Sequence, residues 1–266
     1  MSDWKKYYQE HLTTAAEAVK HIKSGNRVVI GHACGEPAHL VNAMVDNAAA
    51  YKNVEIVHMV AMGGGKYCQP EYAENFRHNA LFVGGSTREA VAAGRADYTP
   101  CFFFEIPRLF RTTLPVDVAM VTVSPPDENG MCSLGVSVDY TQEAVKQAKT
   151  VIAQVNKEMP WTGPNSLVSV QDLDFIVEHN EPLIELPPPK IGDIERAIGE
   201  HCASLIPDGA TLQLGIGAIP DAVLLFLKGK KDLGIHSEMF SDGVVELAEA
   251  GVITNKKKTL HPGKFI

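Results

Sequence analysis

A glutamate interrupts an apolar segment close to the C-terminal end of the sequence. Glu238 lies in the stretch 235–243, which reads IHSEMFSDG, directly after a predicted strand. A carboxylate at a strand end costs free energy unless water or a hydrogen-bond partner compensates for its burial. A catalytic carboxylate, by contrast, needs an open pocket. The residue types alone leave a structural and a catalytic role for Glu238 open.

A second segment has the residue types of a ligand-binding loop. Gly215, Ile216, Gly217, Ala218 and Ile219 follow a predicted strand, and a proline then begins the next predicted helix. Glycines allow a backbone to approach a ligand closely, and the N-terminus of a helix favours a negatively charged group. The loop therefore suits a pyrophosphate or a developing oxyanion. A lone G-x-G is also what a tight turn requires, so that interpretation stays open.

The elements before these segments alternate between strand and helix. A capping box at Thr14 and Glu17 predicts a helix over 13–24. Apolar runs predict strands, and helical spacing predicts further helices. The predicted strands are 27–31, 54–60, 80–83, 116–123 and 150–154, and the further helices are 37–47 and 141–149. This alternation is typical of an α/β protein with an open parallel sheet.

A proline-rich segment over 181–192 predicts a linker between two domains, 1–185 and 186–266. The segments 24–31 and 208–215 resemble each other, since each is a glycine-containing turn that leads into a strand and is followed by a helix. We therefore expect two related open parallel-sheet domains. The chain stops as another apolar run begins, so we expect the second domain to be incomplete and the natural protein to continue.

The two copies of the internal repeat differ at the position of Glu238. If His58 is aligned with His236, Val60 falls opposite Glu238. Only the second copy then carries the carboxylate.

Composition excludes several classes of partner. The 266 residues are 45% hydrophobic with a formal net charge of -8, and the basic residues are scattered apart from 256–258, which argues against nucleic-acid binding. There is no run of about 18 apolar residues to span a bilayer, and the first residues do not form a secretory signal. Five cysteines, spaced far apart, predict a reducing compartment and a cytoplasmic protein.

Other candidate sites are weaker. His32, Cys34 and His39 match no common zinc spacing, so we predict no metal site. The segment 124–130 is predicted to be a turn between strands, with a part in an acyl pocket as the alternative. The glycines at 63–65 are a candidate for approaching a substrate from the first domain.

The two second-domain segments, 212–223 and 234–243, resemble the acetyl-CoA hydrolase/transferase family, and within it the 4-hydroxybutyrate CoA-transferases. The resemblance extends through 35–37, 49–54, 124–127 and 190–192. It implies two α/β domains of CoA-transferase type and a homodimer or higher homo-oligomer. It also implies transfer of coenzyme A from a short-chain acyl-CoA to acetate, butyrate or 4-hydroxybutyrate.

The resemblance further implies a ping-pong mechanism in which Glu238 is the nucleophile and carries a glutamyl-CoA thioester. The loop from Gly215 to Ile219 would contact coenzyme A, which acts as a substrate rather than as a permanently bound cofactor. Glutamate suits this role because its ordinary pKa of about 4.3 makes it an anion at neutral pH, so it needs no activating base.

Three alternatives remain at the level of sequence. Gly215-x-Gly217 followed some twenty positions later by an acidic residue imitates a dinucleotide fingerprint, although a proline stands where the third glycine belongs. A non-catalytic ligand-binding α/β domain is the second alternative. The third is an acyl-CoA hydrolase of the same family, with water as the acceptor.

Overall fold

The structure is a computed structural model that describes residues 3–266. The chain divides into two compact units, of which the first (unit 1) ends at Glu185 and the second (unit 2) extends from Leu186 to Ile266. Within residues 3–266 we find no helix whose length and hydropathy would let it cross a lipid bilayer.

Unit 1 is built around a large parallel sheet. Its strands are β1 (Arg27–Ile30), β2 (Val54–His58), β3 (Phe76–Ala80), β4 (Ala96–Tyr98), β5 (Val118–Val123), β6 (Met131–Ser133), β7 (Thr150–Val155), β8 (Leu167–Ser169) and β9 (Phe175–Glu178). Among the described residues, seven strands form this sheet in the order β4-β3-β2-β1-β5-β7-β9, with every neighbouring pair parallel. The short strands β6 and β8 pair separately and antiparallel.

The helices of unit 1 are α1 (Asp3–His11), α2 (Ala15–Ala18), α3 (Ala38–Asp46), α4 (Arg88–Ala92), α5 (Ile106–Arg111) and α6 (Asp139–Gln147). The sheet is buried on both faces. Along β5, Val118 and Met120 belong to one apolar cluster, whereas Ala119 and Val121 belong to the other. Because both faces are covered, the central strands are apolar throughout rather than alternating.

The strand order places a switch point next to β1. The chain proceeds from β1 outward through β2, β3 and β4, and then returns to the other side of β1 with β5. In open parallel sheets, ligands bind outside the carboxyl ends of the strands at such a point. This edge of unit 1 is therefore a candidate binding region on topology alone.

Unit 2 consists of α7 (Asp193–Ser204), β10 (Thr211–Leu212), α8 (Ala218–Leu225), β11 (Gly234–Ile235) and α9 (Asp242–Glu249). Its two strands are parallel. The core is formed by apolar residues from the strands, α8 and α9, including Leu212, Leu224, Ile235 and Leu247. The sequence predicts a strand over 210–215, but β10 is only two residues long. Ala210 precedes it, and residues 213–215 belong to the loop that follows it.

The predicted resemblance between the two units extends to backbone conformation. Gly25 and Gly209 both have φ of +77°, in the turns that precede β1 and β10. Asn53 and Asp232 have φ of 53° and 54°, just before β2 and β11. These equivalent left-handed residues show that the two openings share one local fold.

The alignment of the two copies, however, was wrong by one residue. Glu55 in β2 and Gly234 in β11 are equivalent, because each begins the parallel pairing with the preceding strand of its unit. Counting from these two residues places Met59, not Val60, opposite Glu238. The conclusion that only the second copy carries a carboxylate is unchanged.

The histidines used for that alignment occupy different positions. His58 is fully buried within β2, whereas His236 is exposed and follows β11. Because side chains alternate between the two sides of a strand, an offset of one residue moves a side chain to the opposite face.

Two further predictions needed correction. The strand predicted over 80–83 is β3, which ends at Ala80 and begins at Phe76. Its polar residues find partners in neighbouring strands, such as the bond from Asn79 Nδ2 to Glu55 Oε1 at 2.9 Å. The sequence predicts a helix over 194–205 with Asp193 as its N-cap, because aspartate is a preferred N-cap residue. In the structure the N-cap of α7 is Gly192, and Glu195 Oε2 accepts a hydrogen bond from the Gly192 N–H at 2.9 Å.

Candidate functional site

Glu238 lies in a bend three residues beyond β11, and its side chain is exposed to solvent. The parallel pairing continues one residue past the strand, because the N–H of His236 donates to the carbonyl oxygen of Leu212 at 2.9 Å. Glu238 therefore lies two residues after His236, the last residue whose position this pairing fixes. Solvation removes the burial cost that would otherwise make a carboxylate here unfavourable.

Ser237 joins the bend that carries Glu238 to the loop that follows β10. Its hydroxyl donates to the Leu214 carbonyl oxygen at 2.8 Å and accepts from the Leu214 N–H at 3.3 Å. The same hydroxyl accepts from the Met239 N–H at 3.2 Å. The residues on both sides of Glu238 are thus tied to the residue immediately before Gly215. Sequence reasoning assigned no role to Ser237, although it lies inside the segment that was singled out.

The loop from Gly215 to Ile219 leads directly into α8. Gly217 is the N-cap of the helix and has φ of +117°. A Cβ built on Gly215 or on Gly217 would meet no atom within 4 Å, so the backbone here borders open space. The first N–H groups of a helix have no acceptor inside it. The structure therefore brings together, in one unit, an exposed carboxylate and an accessible helix N-terminus.

Lys258 stabilises β11 by hydrogen bonds from its side chain. Its ammonium group donates to the carbonyl oxygens of Ile235 and Lys264, both at 2.7 Å. The side chain is buried, although the sequence places it in a short basic run. Asn255 Oδ1 accepts from the Ile235 N–H at 2.8 Å. These bonds fix the strand that ends just before Glu238.

Unit 1 contains a small polar cavity at the carboxyl edge of its sheet. The cavity has a volume of about 50 Å³ and is lined by Cys34, Glu36, Ala38, Thr122, Gln154, Asn156, Glu181, Pro182, Leu183 and Ile184. Sequence analysis did not identify this site. The signal that could have found it is the pair of polar residues Thr122 and Gln154 inside otherwise apolar strands.

Among the ionisable groups that line this cavity, Glu36 has the pKa that burial changes most. Burial raises the pKa of Glu36 to about 7, although backbone N–H groups of Gly63 and Met62 favour the ionised form. The Gly63 N–H donates to Glu36 Oε2 at 2.8 Å. A Cβ on Gly63 would meet the Glu36 carboxyl group and force it to shift, so Gly63 lets the backbone pack closely against this carboxyl group. This gives Gly63 a structural role, while its approach to a substrate stays a prediction.

The three residues weighed as metal ligands lie in separate environments. His32 Nε2 is 3.1 Å from Asp139 Oδ2, and His39 stacks on His179 with the ring centroids 3.8 Å apart. Burial raises the pKa of the Cys34 thiol. Within the part of the chain that the structure describes, no three His, Cys, Asp or Glu residues are grouped so that they could hold a metal ion.

The segment 124–130 forms the predicted turn between strands. Asp127 Oδ1 accepts from the N–H groups of Asn129 at 2.9 Å and Met131 at 2.8 Å. Pro125 and Pro126 line a groove of about 620 Å³. The turn is confirmed, and its part in an acyl pocket is not tested.

Comparison with known proteins assigns the chain to a family. Residues 1–186 match the family model described as the acetyl-CoA hydrolase/transferase N-terminal domain. The chain belongs to the acetyl-CoA hydrolase/transferase family. The resemblance predicted from the sequence is thereby confirmed.

Curated relatives of this acetyl-CoA hydrolase/transferase family member are named CoA transferases. The chain is 64% identical over 265 residues to the 4-hydroxybutyrate coenzyme A transferase of Clostridium kluyveri, a match that covers 99% of this chain and 62% of that protein. It is 41% identical to the succinyl-CoA:acetate/propanoyl-CoA:succinate CoA transferase of Fasciola hepatica, covering 94% of this chain and 53% of that protein. The chain thus spans between 53% and 62% of the length of these two relatives.

Solved structures confirm the α/β fold of this family member. The 4-hydroxybutyrate CoA-transferase of Porphyromonas gingivalis superposes with a TM-score of 0.87 at 43% identity, covering 99% of this chain and 63% of that one. RipA from Yersinia pestis superposes with a TM-score of 0.94 at 34% identity, covering 99% and 64%.

Proposed function

We propose that the protein carrying this chain transfers coenzyme A from a short-chain acyl-CoA to a carboxylic acid, with Glu238 as the nucleophile. The observation that supports this most directly is the exposed Glu238 carboxylate in a bend that Ser237 ties to the glycine loop. A solvated carboxylate, in a bend tied to the loop that leads into an accessible helix N-terminus, suits attack on a carbonyl carbon. Membership of the family supports the same reaction class.

The reaction proceeds in two halves. The Glu238 carboxylate attacks the acyl-CoA carbonyl carbon and expels the CoA thiolate, which forms an acyl-glutamyl anhydride. The thiolate then attacks the glutamyl carbonyl, releases the first acid as its carboxylate and leaves a glutamyl-CoA thioester. An incoming carboxylate attacks this thioester to give a new anhydride and free thiolate. The thiolate attacks the acyl carbonyl of the anhydride, which yields the new acyl-CoA and restores Glu238.

The loop from Gly215 to Ile219 binds coenzyme A in this proposal. Its glycines let the backbone approach the ligand, and the α8 N-terminus stabilises negative charge on a phosphate or on an oxyanion. Ser237 keeps the loop and the nucleophile in a fixed relation. Coenzyme A enters as part of a substrate, and the chemistry requires neither a permanently bound cofactor nor a metal ion.

The proposed substrates are short-chain acids, namely acetate, butyrate and 4-hydroxybutyrate. They follow from relatives named as a 4-hydroxybutyrate coenzyme A transferase and as a butyryl-CoA:acetate CoA-transferase. We further propose a cytoplasmic homo-oligomer that acts on dissolved acyl-CoA rather than on nucleic acid or at a membrane.

The test is to detect the thioester on its residue. The protein that carries this chain is incubated with an acyl-CoA, digested, and searched by peptide mass for a CoA adduct on the peptide that contains Glu238. We expect the adduct in the wild type, and we expect Glu238→Gln to lose both the adduct and the transfer activity. Glu246→Gln is the matched control, since Glu246 is an exposed glutamate in the same unit. An adduct on another residue, or full activity in Glu238→Gln, contradicts the mechanism.

Hydrolysis of acyl-CoA is the second candidate, because the family description includes hydrolases. Both reactions share the first half, and they differ only in whether water or a carboxylate attacks next. Adding acetate to butyryl-CoA distinguishes them, since a transferase forms acetyl-CoA whereas a hydrolase releases free coenzyme A.

A further inference from the structure

Three buried polar atoms of unit 1 belong to residues that line one small cavity, the site of about 50 Å³ described above. Glu36 Oε1, Thr122 Oγ1 and Gln154 Oε1 have no hydrogen-bond partner within residues 3–266. The three residues are 5%, 4% and 1% exposed, respectively. Buried polar groups are nearly always paired, so three unpaired ones around one cavity indicate a group that the cavity is built to receive.

The fold places these atoms where open parallel sheets bind ligands. Thr122 in β5 and Gln154 in β7 are direct neighbours in the strand register. Glu36 follows β1, and the order of the strands reverses between β1 and β5. The cavity therefore lies at the switch point on the carboxyl edge of the sheet.

The free atoms match a hydroxyl group. Gln154 Oε1 is an amide carbonyl oxygen and can only accept. The orientation of this amide is set by its nitrogen, which donates to Glu181 Oε1 at 2.7 Å. The Thr122 hydroxyl can donate and accept, and Glu36 accepts when ionised and donates when protonated. A hydroxyl group donates one hydrogen bond and accepts up to two, which complements this set.

Charged ligands suit the cavity less well. The described residues that line it include Glu36 and Glu181 and no basic side chain, so an anion would meet only negative charge. Burial raises the pKa of Glu36 to about 7, which removes much of the charge that would hold a cation at neutral pH. Glu181 is already hydrogen-bonded to Gln154.

The cavity is small and part of its lining is apolar. The apolar lining residues are Ala38, Pro182, Leu183 and Ile184. One water-sized group needs about 10–15 Å³ by this measure, so the cavity holds about four non-hydrogen atoms. A short aliphatic chain that ends in a hydroxyl fits both the shape and the polarity.

We propose that this cavity of unit 1 binds the hydroxyl end of a short ω-hydroxy acid and so favours such acids over their unsubstituted counterparts. The choice of acids rests on the proposed function, whereas the cavity and its free polar atoms do not. Thr122, Gln154 and Glu36 are then the residues that determine specificity.

The experiment is a comparison of 4-hydroxybutyrate and butyrate as ligands of the whole protein, by isothermal titration calorimetry. We expect 4-hydroxybutyrate to bind about tenfold more tightly, as one or two buried hydrogen bonds predict. Thr122→Val should remove most of this preference, because valine has the shape of threonine without the hydroxyl. Thr122→Ser keeps the hydroxyl and should retain the preference.

Measurements on Glu238→Gln separate this proposal from the proposed reaction. Binding of the free acids needs no nucleophile, so the preference for 4-hydroxybutyrate should persist in this variant even though transfer is lost. Equal affinity of the wild type for the two acids overturns the proposal, as does an unchanged preference in Thr122→Val. A cavity that instead responds to potassium or ammonium, seen as stabilisation that Thr122→Val abolishes without any preference between the acids, also overturns it.

Discussion

Replacing Glu36 by glutamine isolates the cost of ionising a buried carboxyl group. Burial raises the pKa of Glu36 to about 7, whereas an exposed glutamate has a pKa of about 4.3. A carboxyl whose pKa is higher in the folded state stabilises the protein fully below about pH 4.3, and this contribution is lost as the pH rises through 7. At about 1.4 kcal/mol for each tenfold difference in proton affinity, the loss between pH 5 and pH 8 is about 2.5 kcal/mol. Glutamine keeps an oxygen that can accept from Gly63 but cannot ionise.

The assay is urea unfolding at pH 5 and pH 8, followed by tryptophan fluorescence. Both tryptophans of the chain, Trp4 and Trp161, lie in unit 1, so the signal reports on the unit that contains Glu36. We expect the free energy of unfolding of Glu36→Gln minus that of the wild type to be larger at pH 8 than at pH 5 by about 2.5 kcal/mol, so that the variant is relatively more stable at pH 8. Taking the difference between the two proteins removes the contributions of histidines that do not face Glu36, such as His78, whose pKa burial lowers.

The control is Glu74→Gln, which changes an exposed glutamate of the same unit. It should shift the two unfolding curves equally. If the difference between Glu36→Gln and the wild type is the same at both pH values, burial does not hold the Glu36 carboxyl protonated.

Three further predictions concern unit 2, and hydrogen exchange measured by mass spectrometry over residues 211–241 checks each of them. Ser237→Ala should destabilise the loops after β10 and β11 by about 1–3 kcal/mol, because it leaves backbone groups without their hydrogen-bond partner. CoA transfer should slow, although Glu238 should still form the adduct. Unchanged hydrogen exchange would contradict the role of Ser237 in joining the two loops. Gly217→Ala should cost about 1–3 kcal/mol, since alanine is strained at φ of +117°. The φ of Gly215 lies outside the left-handed region, so Gly215→Ala should leave the hydrogen exchange of α8 close to that of the wild type. Lys258→Met should weaken β11 by about 3 kcal/mol by removing two charged hydrogen bonds, whereas Lys257→Met, at an exposed position, should have little effect.

The parallel sheet could be predicted because its strongest signal is apolar residues buried on both faces. The run 116–123 has this pattern, and β5 occupies Val118–Val123. The pattern failed for β3, which contains Arg77, His78 and Asn79. These side chains are accommodated by partners distant in sequence, such as Asp97 for Arg77. A local pattern cannot contain that information.

In the candidate site, too, some features could be predicted from the sequence and others required the structure. Glu238 and the glycine loop could be found because both lie at strand ends in one short segment each. The role of Ser237 required the distance to Leu214, which is 23 residues away. The cavity around Glu36 required the strand register, since Thr122 and Gln154 become neighbours only when β5 pairs with β7. Register is set by tertiary packing and is not visible in either strand alone.

Because Glu238 is exposed, water and the acceptor acid would compete for the thioester proposed to form on it. Under the proposed mechanism, a thioester on an exposed side chain is open to water as well as to a dissolved acid, and water is present in great excess. The ratio of transfer to hydrolysis would then be set by how quickly the acceptor carboxylate arrives and how well it is aligned. That ratio should rise with the concentration of the acceptor acid.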